Sequence, residues 1–284
     1  MHEFVTVRLR CPVCDTEFAA DEVHGGVLRH RESDFRPVFE GPEPLSTHMH
    51  SCPECRYSAY RDGFETEPSD EDELVVVVDA DERSLPRPSV TTPDEEDALD
   101  LRRWAASGEL SEGLLVPGEE PVGADRFLLA ARIHEFLEDE EPLTTCHYLL
   151  RAAWCARAAG DDATERLALR EVLLRLSHVL ENDEPGDLDT QRLRYLAGEV
   201  SRRSGDFGRA LEFFGLVEAE ADTEDEEGAF YGPLARRLRQ LAAVQSDVVV
   251  QLPAARPRRS SDDDDEEEDE DFELSDDDGE PTLN

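Results

Sequence analysis

Lysine is absent from this 284-residue sequence, and all 29 basic residues other than histidine are arginine. Seventy acids oppose them, giving a formal net charge of −41. A surface that follows nucleic-acid phosphate has to be positive, so this balance runs against DNA or RNA binding. Apolar residues are also scarce, at 38% with 7% aromatic, so part of the chain lacks the material for a packed core. The longest unbroken aliphatic run, Leu74 to Val78, is far short of the ~20 residues that span a bilayer. Met1-His2-Glu3-Phe4 lacks the basic-then-apolar opening of a secretory signal. A cytoplasmic protein without a membrane segment is expected. Catalytic motifs are missing as well: there is no phosphate-cradling glycine loop, no Gly-x-Ser-x-Gly and no His-Glu-x-x-His. Carboxylates are so abundant that no pair of them stands out.

The acidity is uneven. Residues 1–64 carry net −4 and residues 142–246 net −6, whereas residues 65–141 carry −18 and residues 247–284 carry −13. The chain therefore divides into a head (1–64), an acidic linker or insertion (65–93), a body (94–247) and a polyacidic tail (248–284). Ser261 is followed by ten consecutive acids. Like charges repel there and nothing apolar is available to bury, so a disordered tail is expected. It reads either as a solubiliser or as a docking segment. In the linker, Leu74-Val75-Val76-Val77-Val78 is β-branched enough for one strand between proline-punctuated flanks. Adaptation of the whole protein to high salt would also favour acid over lysine, and that reading stays open.

The strongest local signal is a pair of turns, Cys11-Pro12-Val13-Cys14 and Cys52-Pro53-Glu54-Cys55. Proline fixes the backbone after the first cysteine of each, and the loop presents two thiolates on one side. Four sulfurs suit one tetrahedral Zn²⁺ with Zn–S distances of about 2.3 Å. The 37 residues between the pairs exceed ribbon spacing, and an inserted hairpin or loop would account for them. Strands are expected before each turn, from the alternation Phe4-Val5-Thr6-Val7-Arg8-Leu9 and from Leu45 to His50. Disulfides are out of keeping with a reducing cytoplasm, and a redox Cys-x-x-Cys normally stands once, at a helix start. An iron–sulfur cluster also uses four thiolates, so it stays open beside zinc, the preferred reading. With Cys11, Cys14, Cys52 and Cys55 all ligating, no position remains for water or substrate, and the site is structural. His48, His50 and Cys52 alternate, making His50 either a substitute ligand or part of an exposed strand. His24 and His30 have no such spacing.

From Asp94 onward the apolar period changes to that of helices. They are expected at 94–106, 124–139, 142–159, 162–181, 188–204, 207–219 and 232–246, with acidic loops at Asn182–Asp187 and Asp222–Gly228. Asp161 and Asp206 are placed to cap, Gly160 and Gly205 to terminate, and Pro142 and Pro233 to open first turns. Ala152–Asp161 and Tyr195–Phe214 share a Gly-Asp turn. Ala197, Gly198, Ala210 and Phe214 fall where tetratricopeptide helices pack closest. The two turns lie 45 residues apart instead of about 34, so any repeat is degenerate. Cys146 and Cys155 read as small core residues, and His134, His147 and His178 as packed or surface positions.

Cys11-Pro-Val-Cys14-Asp-Thr-Glu-Phe18, Ser33-Asp34-Phe35, Pro44-Leu45 and Cys52-Pro-Glu-Cys55-Arg-Tyr57-Ser-Ala59 stand in the first part of the chain. Leu149-Leu-Arg-Ala-Ala-Trp154 and Tyr195-Leu-Ala-Gly-Glu199 through Leu211 follow in the second. Together they resemble the domain of unknown function 2225 family over about residues 8–64 and 124–247. The resemblance implies a mainly α protein, with a small β zinc-ribbon-like head joined to a tetratricopeptide-like α–α body. It implies no reaction. Asp15 and Arg56 stand where that family usually has glycine, so strain is expected in both turns. The stretch 65–93 and the tail look like additions.

The expected function is a non-catalytic zinc-binding scaffold or adaptor that holds a protein partner in a helical groove. Arg151, Arg157, Arg194, Arg202 and Arg203 are candidates to line it and to select an acidic peptide, because guanidinium pairs bidentately with carboxylate. Their alternative role is to balance neighbouring acids. The chain's own tail would then compete for the groove. A thiol-redox or metal-dependent enzyme using the cysteines is the second reading. Nucleic-acid binding through a zinc ribbon is the third, against the charge.

Overall fold

Val5, Val7 and Leu9 turn toward the interior while Phe4, Thr6 and Arg8 face solvent, so the expected alternation forms β1 (Glu3–Arg10). The computed structural model describes residues 3–66, 84–88, 92–116, 118–137, 142–182, 190–221 and 226–252. In it, β1 pairs antiparallel with β2 (Glu17–His24) from Glu3↔His24 to Arg10↔Glu17, and its end also pairs with β7 (Glu65–Thr66). The inserted hairpin expected between the cysteine pairs is β3 (Val27–Arg31) with β4 (Pro37–Glu40). A third antiparallel pair joins β5 (Met49–Ser51) to β6 (Ser58–Tyr60). The strand expected from Leu45 to His50 is corrected: Leu45–His48 is one helical turn, α1, and only Met49–Ser51 are extended. Thr47 closes that turn, its amide and hydroxyl both donating to the Pro44 carbonyl at 3.0 and 2.8 Å.

The helices are α2 (Glu95–Ser107), α3 (Ala124–Leu137), α4 (Pro142–Ala159), α5 (Asp162–Glu181), α6 (Thr190–Ser204), α7 (Phe207–Glu220) and α8 (Glu226–Ala243). The first six match the expected spans to within two residues at either end. The last begins six residues early, which places Pro233 inside it instead of in its first turn and makes Glu226–Gly228 helical instead of loop. Tyr231, Leu234, Ala235, Leu238 and Ala242 are buried along one face, and that packing carries the helix through a proline that donates no hydrogen bond. None of the described helices is long and apolar enough to cross a membrane.

The two Gly-Asp turns are built alike. Gly160 and Gly205 have φ of 74° and 88°, which glycine adopts without a Cβ clash. Asp161 and Asp206 then cap α5 and α7 through the amides of Thr164 and Arg209 at 3.1 and 3.2 Å. Each helix from α3 onward packs on its successor, and α8 also reaches α6. Gly198 of α6 lies so close to α7 that a Cβ there would stand 2.8 Å from the Phe214 ring.

One core runs through the helices and takes in Phe35, Leu45, Met49 and Tyr60 from the N-terminal part. A second surrounds the cysteines and takes in Leu101 of α2 with Leu129 and Ile133 of α3. The boundary expected at residue 64 falls inside this packing, and the residues up to Leu252 make one compact unit. Two edges of the expected division are corrected by burial. Ser84 and Leu85, inside the stretch read as linker, are 3% and 2% exposed. At the other edge, the start of the expected tail is bonded to the N-terminal part, with the Ser33 amide on the Val250 carbonyl and the Leu252 amide on the Arg31 carbonyl, both at 2.8 Å. The strand expected at Leu74–Val78 and the chain beyond Leu252 lie outside the described residues.

Candidate metal centre

Each Cys-Pro-x-Cys turn joins two paired strands, β1 to β2 and β5 to β6. The two turns repeat one hydrogen-bond pattern. In the first, Cys11 donates to the Thr16 carbonyl at 3.0 Å and Asp15 donates back to Cys11 at 2.9 Å. In the second, Cys52 donates to Tyr57 at 2.8 Å and Arg56 donates back to Cys52 at 3.0 Å. This curl brings the residue after the second cysteine to positive φ, 61° at Asp15 and 64° at Arg56. These are the positions where glycine was the expected residue, and a side chain there is strained.

The curls aim four sulfurs at one point. Cys11 Sγ and Cys55 Sγ are 3.5 Å apart, Cys14 Sγ and Cys52 Sγ 3.4 Å, and all four lie within 4.8 Å of one another. None of these contacts is a disulfide. Cys11 and Cys52 are fully enclosed, and Arg102 of α2 holds the first turn by donating to the Val13 carbonyl. Crowding sets the protonation. The hydrogen bond with Cys52 pushes the Cys11 thiol up to about 12, while those from Cys11 and Cys55 pull Cys52 down to about 2. Cys55 is also pushed up, first by Cys11. Four such sulfurs cannot all be thiolates unless a cation sits among them, and the four cysteines could hold a metal ion there.

His50 is neither a ligand nor part of an exposed strand. It is 1% exposed, and its Nε2 lies 2.8 Å from Glu22 Oε1. Glu22 also takes His24 Nε2 at 2.6 Å, a partner that spacing did not reveal. Burial raises the Glu22 carboxyl, but the His50 and His24 hydrogen bonds outweigh it and bring it down to about 2. His48 ends α1 instead of continuing the strand, which breaks the expected alternation with His50 and Cys52. Cys146 and Cys155 are core residues as expected, their thiols pushed up to about 12 by burial.

The arginines expected to line an open groove require the main correction. Arg151 and Arg202 are 0% exposed, and the Arg157 side chain is 9% exposed. Acids of the same chain claim them. Arg157 meets Asp34 at 2.6 Å, Glu165 at 2.8 Å and also Glu32. Arg202 grips both oxygens of Glu199, at 2.8 and 2.7 Å, and donates to the carbonyls of Ser246 and Val248. Arg203 pairs with Glu165 at 2.8 Å, and Arg194, part-exposed, pairs with Glu220. Arg151 instead donates to the Ser84 hydroxyl and the Leu85 carbonyl, at 3.3 and 3.1 Å. The balancing role weighed against the groove therefore fits four of the five, and for three of them it operates inside the protein.

Ser33, Asp34 and Phe35 each reach a different helical partner. Ser33 Oγ donates to Glu199 at 2.6 Å, Asp34 accepts from Trp154 Nε1 at 3.0 Å, and Phe35 packs on Tyr195 and Tyr231. Arg157 keeps the buried Asp34 ionised against its own desolvation, while burial and the nearby Asp34 charge push Glu32 up. This junction of Glu32, Asp34, Glu165 and Glu199 was missed. Its traces in the sequence were the Ser33-Asp34-Phe35 tripeptide and the Tyr195–Glu199 motif, with nothing to show that the two meet.

The profile of a family described as "Uncharacterized protein conserved in bacteria (DUF2225)" matches residues 4–95 and 118–241. The chain belongs to this family. The matched range runs through 65–93, where an insertion was expected, and takes in both cysteine turns, the tripeptide and α3 to α7. No curated protein and no solved structure matches the chain.

Proposed function

We propose that the protein is a non-catalytic adaptor in which one structural Zn²⁺ stabilises a zinc-ribbon-like head, and a tetratricopeptide-like helical body binds a protein partner. The carrying observation is the convergence of four sulfurs from two hairpin turns within 4.8 Å. A tetrahedron with Zn–S bonds of about 2.3 Å has sulfurs about 3.8 Å apart, close to the 3.4 and 3.5 Å pairs. A cluster of several irons would separate its cysteine sulfurs further, so a single ion suits the spacing better. Such an ion neutralises the crowded thiolates and cross-links the two turns. With four protein ligands it offers no open position for substrate.

Elemental analysis and thiol counting on the full chain test the reading. One zinc per chain that survives dialysis, with no reactive thiol among Cys11, Cys14, Cys52 and Cys55, is the expected result. Purified protein with no metal, or with head thiols that react while metal is bound, overturns it and returns the redox reading to first place.

A further inference from the structure

Arg151 is covered by a segment of the chain itself. Residues 84–88 run past α4 and α6 with Leu85 buried in the helical core, while Pro86 and Arg87 remain exposed. The helices hold the segment mainly by its backbone. Arg192 donates to the Ser84 carbonyl, and Arg151 donates to the Leu85 carbonyl at 3.1 Å. His147 Nδ1 lies 3.4 Å from the same Leu85 oxygen, its Nε2 being taken by the Tyr60 hydroxyl at 2.6 Å. Arg151 also reaches Ser84 Oγ at 3.3 Å, and Arg87 lies over the Tyr60 ring at 4.3 Å.

This arrangement suits the grip of an extended peptide: cationic donors on main-chain carbonyls, one pocket for one apolar side chain, and a polar contact to the serine beside it. Carbonyls are common to every sequence, so selectivity falls on the Leu85 pocket and the Ser84 hydroxyl. We propose that residues 84–88 are a built-in occupant of the adaptor's binding groove, and that the partner presents an extended segment with the same serine–leucine chemistry, which replaces them. The proposal deepens the adaptor reading above and rests on it. Replacement is favoured over simple release, because an emptied groove leaves the buried Arg151 donors and the His147 ring without these acceptors. The occupant is tethered at both ends and so competes at an effective concentration in the millimolar range. The intact chain is therefore a weak binder by construction.

The test uses the full chain and a fluorescent peptide of residues 82–90, followed by anisotropy. A chain with Ser84–Pro88 replaced by glycine and serine is expected to bind the peptide at least about ten-fold more tightly than the unaltered chain, once the tethered competitor is gone. A peptide carrying Leu85→Asp is expected not to bind. A folded, vacated chain that binds neither peptide overturns the proposal. Where the vacated chain fails to fold, thiol labelling of the Leu85→Cys chain decides, with the buried Cys146 as an internal clock for global opening. Labelling of the introduced thiol well ahead of Cys146 shows that the segment leaves the groove in the folded protein. Labelling of both at one rate makes it ordinary core and ends the idea. Zinc content is read on the same samples, so failure of the groove and failure of the metal reading register separately.

Discussion

The N-terminal part is tied to itself at one place and to the helices at another, by different physics. At the cysteine end, four soft ligands of one residue type meet at a point. At the Ser33–Phe35 end, acids and arginines from the β3–β4 hairpin, α4, α5 and α6, joined by the carbonyls of Ser246, Val248 and Val250, share a buried interface. On the reading proposed above, one ion bonded to four thiolates ties the two turns together inside an apolar cluster. A buried ion network loses hydration at every charge and holds only while each charge is matched. On that reading the first depends on the presence of an ion, and the second on stoichiometry.

The largest expected effect lies at the cysteine end. Cys52→Ser should abolish stoichiometric metal binding and lower thermal stability more than any substitution at the acid–arginine junction, because structural zinc contributes on the order of 10 kcal/mol in small domains. Chelation of the unaltered chain should reproduce it. Equal melting curves with and without chelator would make the two fastenings alike.

Next comes Asp34→Asn, which keeps the shape of the junction and removes one charge. It should cost about 3 kcal/mol in denaturant unfolding, since Arg157 loses a closely held acid in a buried site. Metal content should be unchanged. A loss below about 1 kcal/mol would place the junction in the class of solvated surface pairs.

Acid sharpens the contrast. The folded state holds the Glu22 carboxyl at about 2 against an ordinary 4.5, so the ionised form is favoured by folding. Its contribution is complete above pH 4.5 and is lost as pH falls through 2. Glu22→Gln should flatten the dependence of melting temperature on pH across that window, and a profile parallel to that of the unaltered chain would refute the assignment.

The smallest effect concerns the paired turns. Arg56→Gly relieves a side chain at positive φ and should stabilise by up to about 1 kcal/mol. Asp15→Gly relieves the same strain but gives up contacts to Arg10 at 3.3 Å and Arg102 at 3.4 Å, and should be close to neutral. Equal gains from the two would show that these exposed contacts contribute nothing.

The same contrast explains what could be read beforehand. The four-cysteine cluster was legible because each Cys-Pro-x-Cys turn is a local rule of two cysteines at fixed spacing. Six helices were legible because their apolar period is local, and so are the caps of several of them, such as Asp161 after Gly160. The junction obeys no local rule: Asp34 and Arg157 are 123 residues apart, in a chain where acids and arginines are everywhere. Arg151 and Arg202 were placed on an open face, because period alone does not tell a solvated helix face from one covered by a distant segment. Pro233 misled for a related reason, since tertiary packing carried α8 through it.

The Ser33 amide on the Val250 carbonyl and the Arg202 grip on Ser246 and Val248 bear on biosynthesis. Residues made early in translation are closed over by residues made more than two hundred positions later, so the nascent chain cannot complete this junction until Val250 has left the ribosome. Until then Ser33 and Arg202 wait without their full set of partners. A chaperone or a slow final step of folding has a defined place to act.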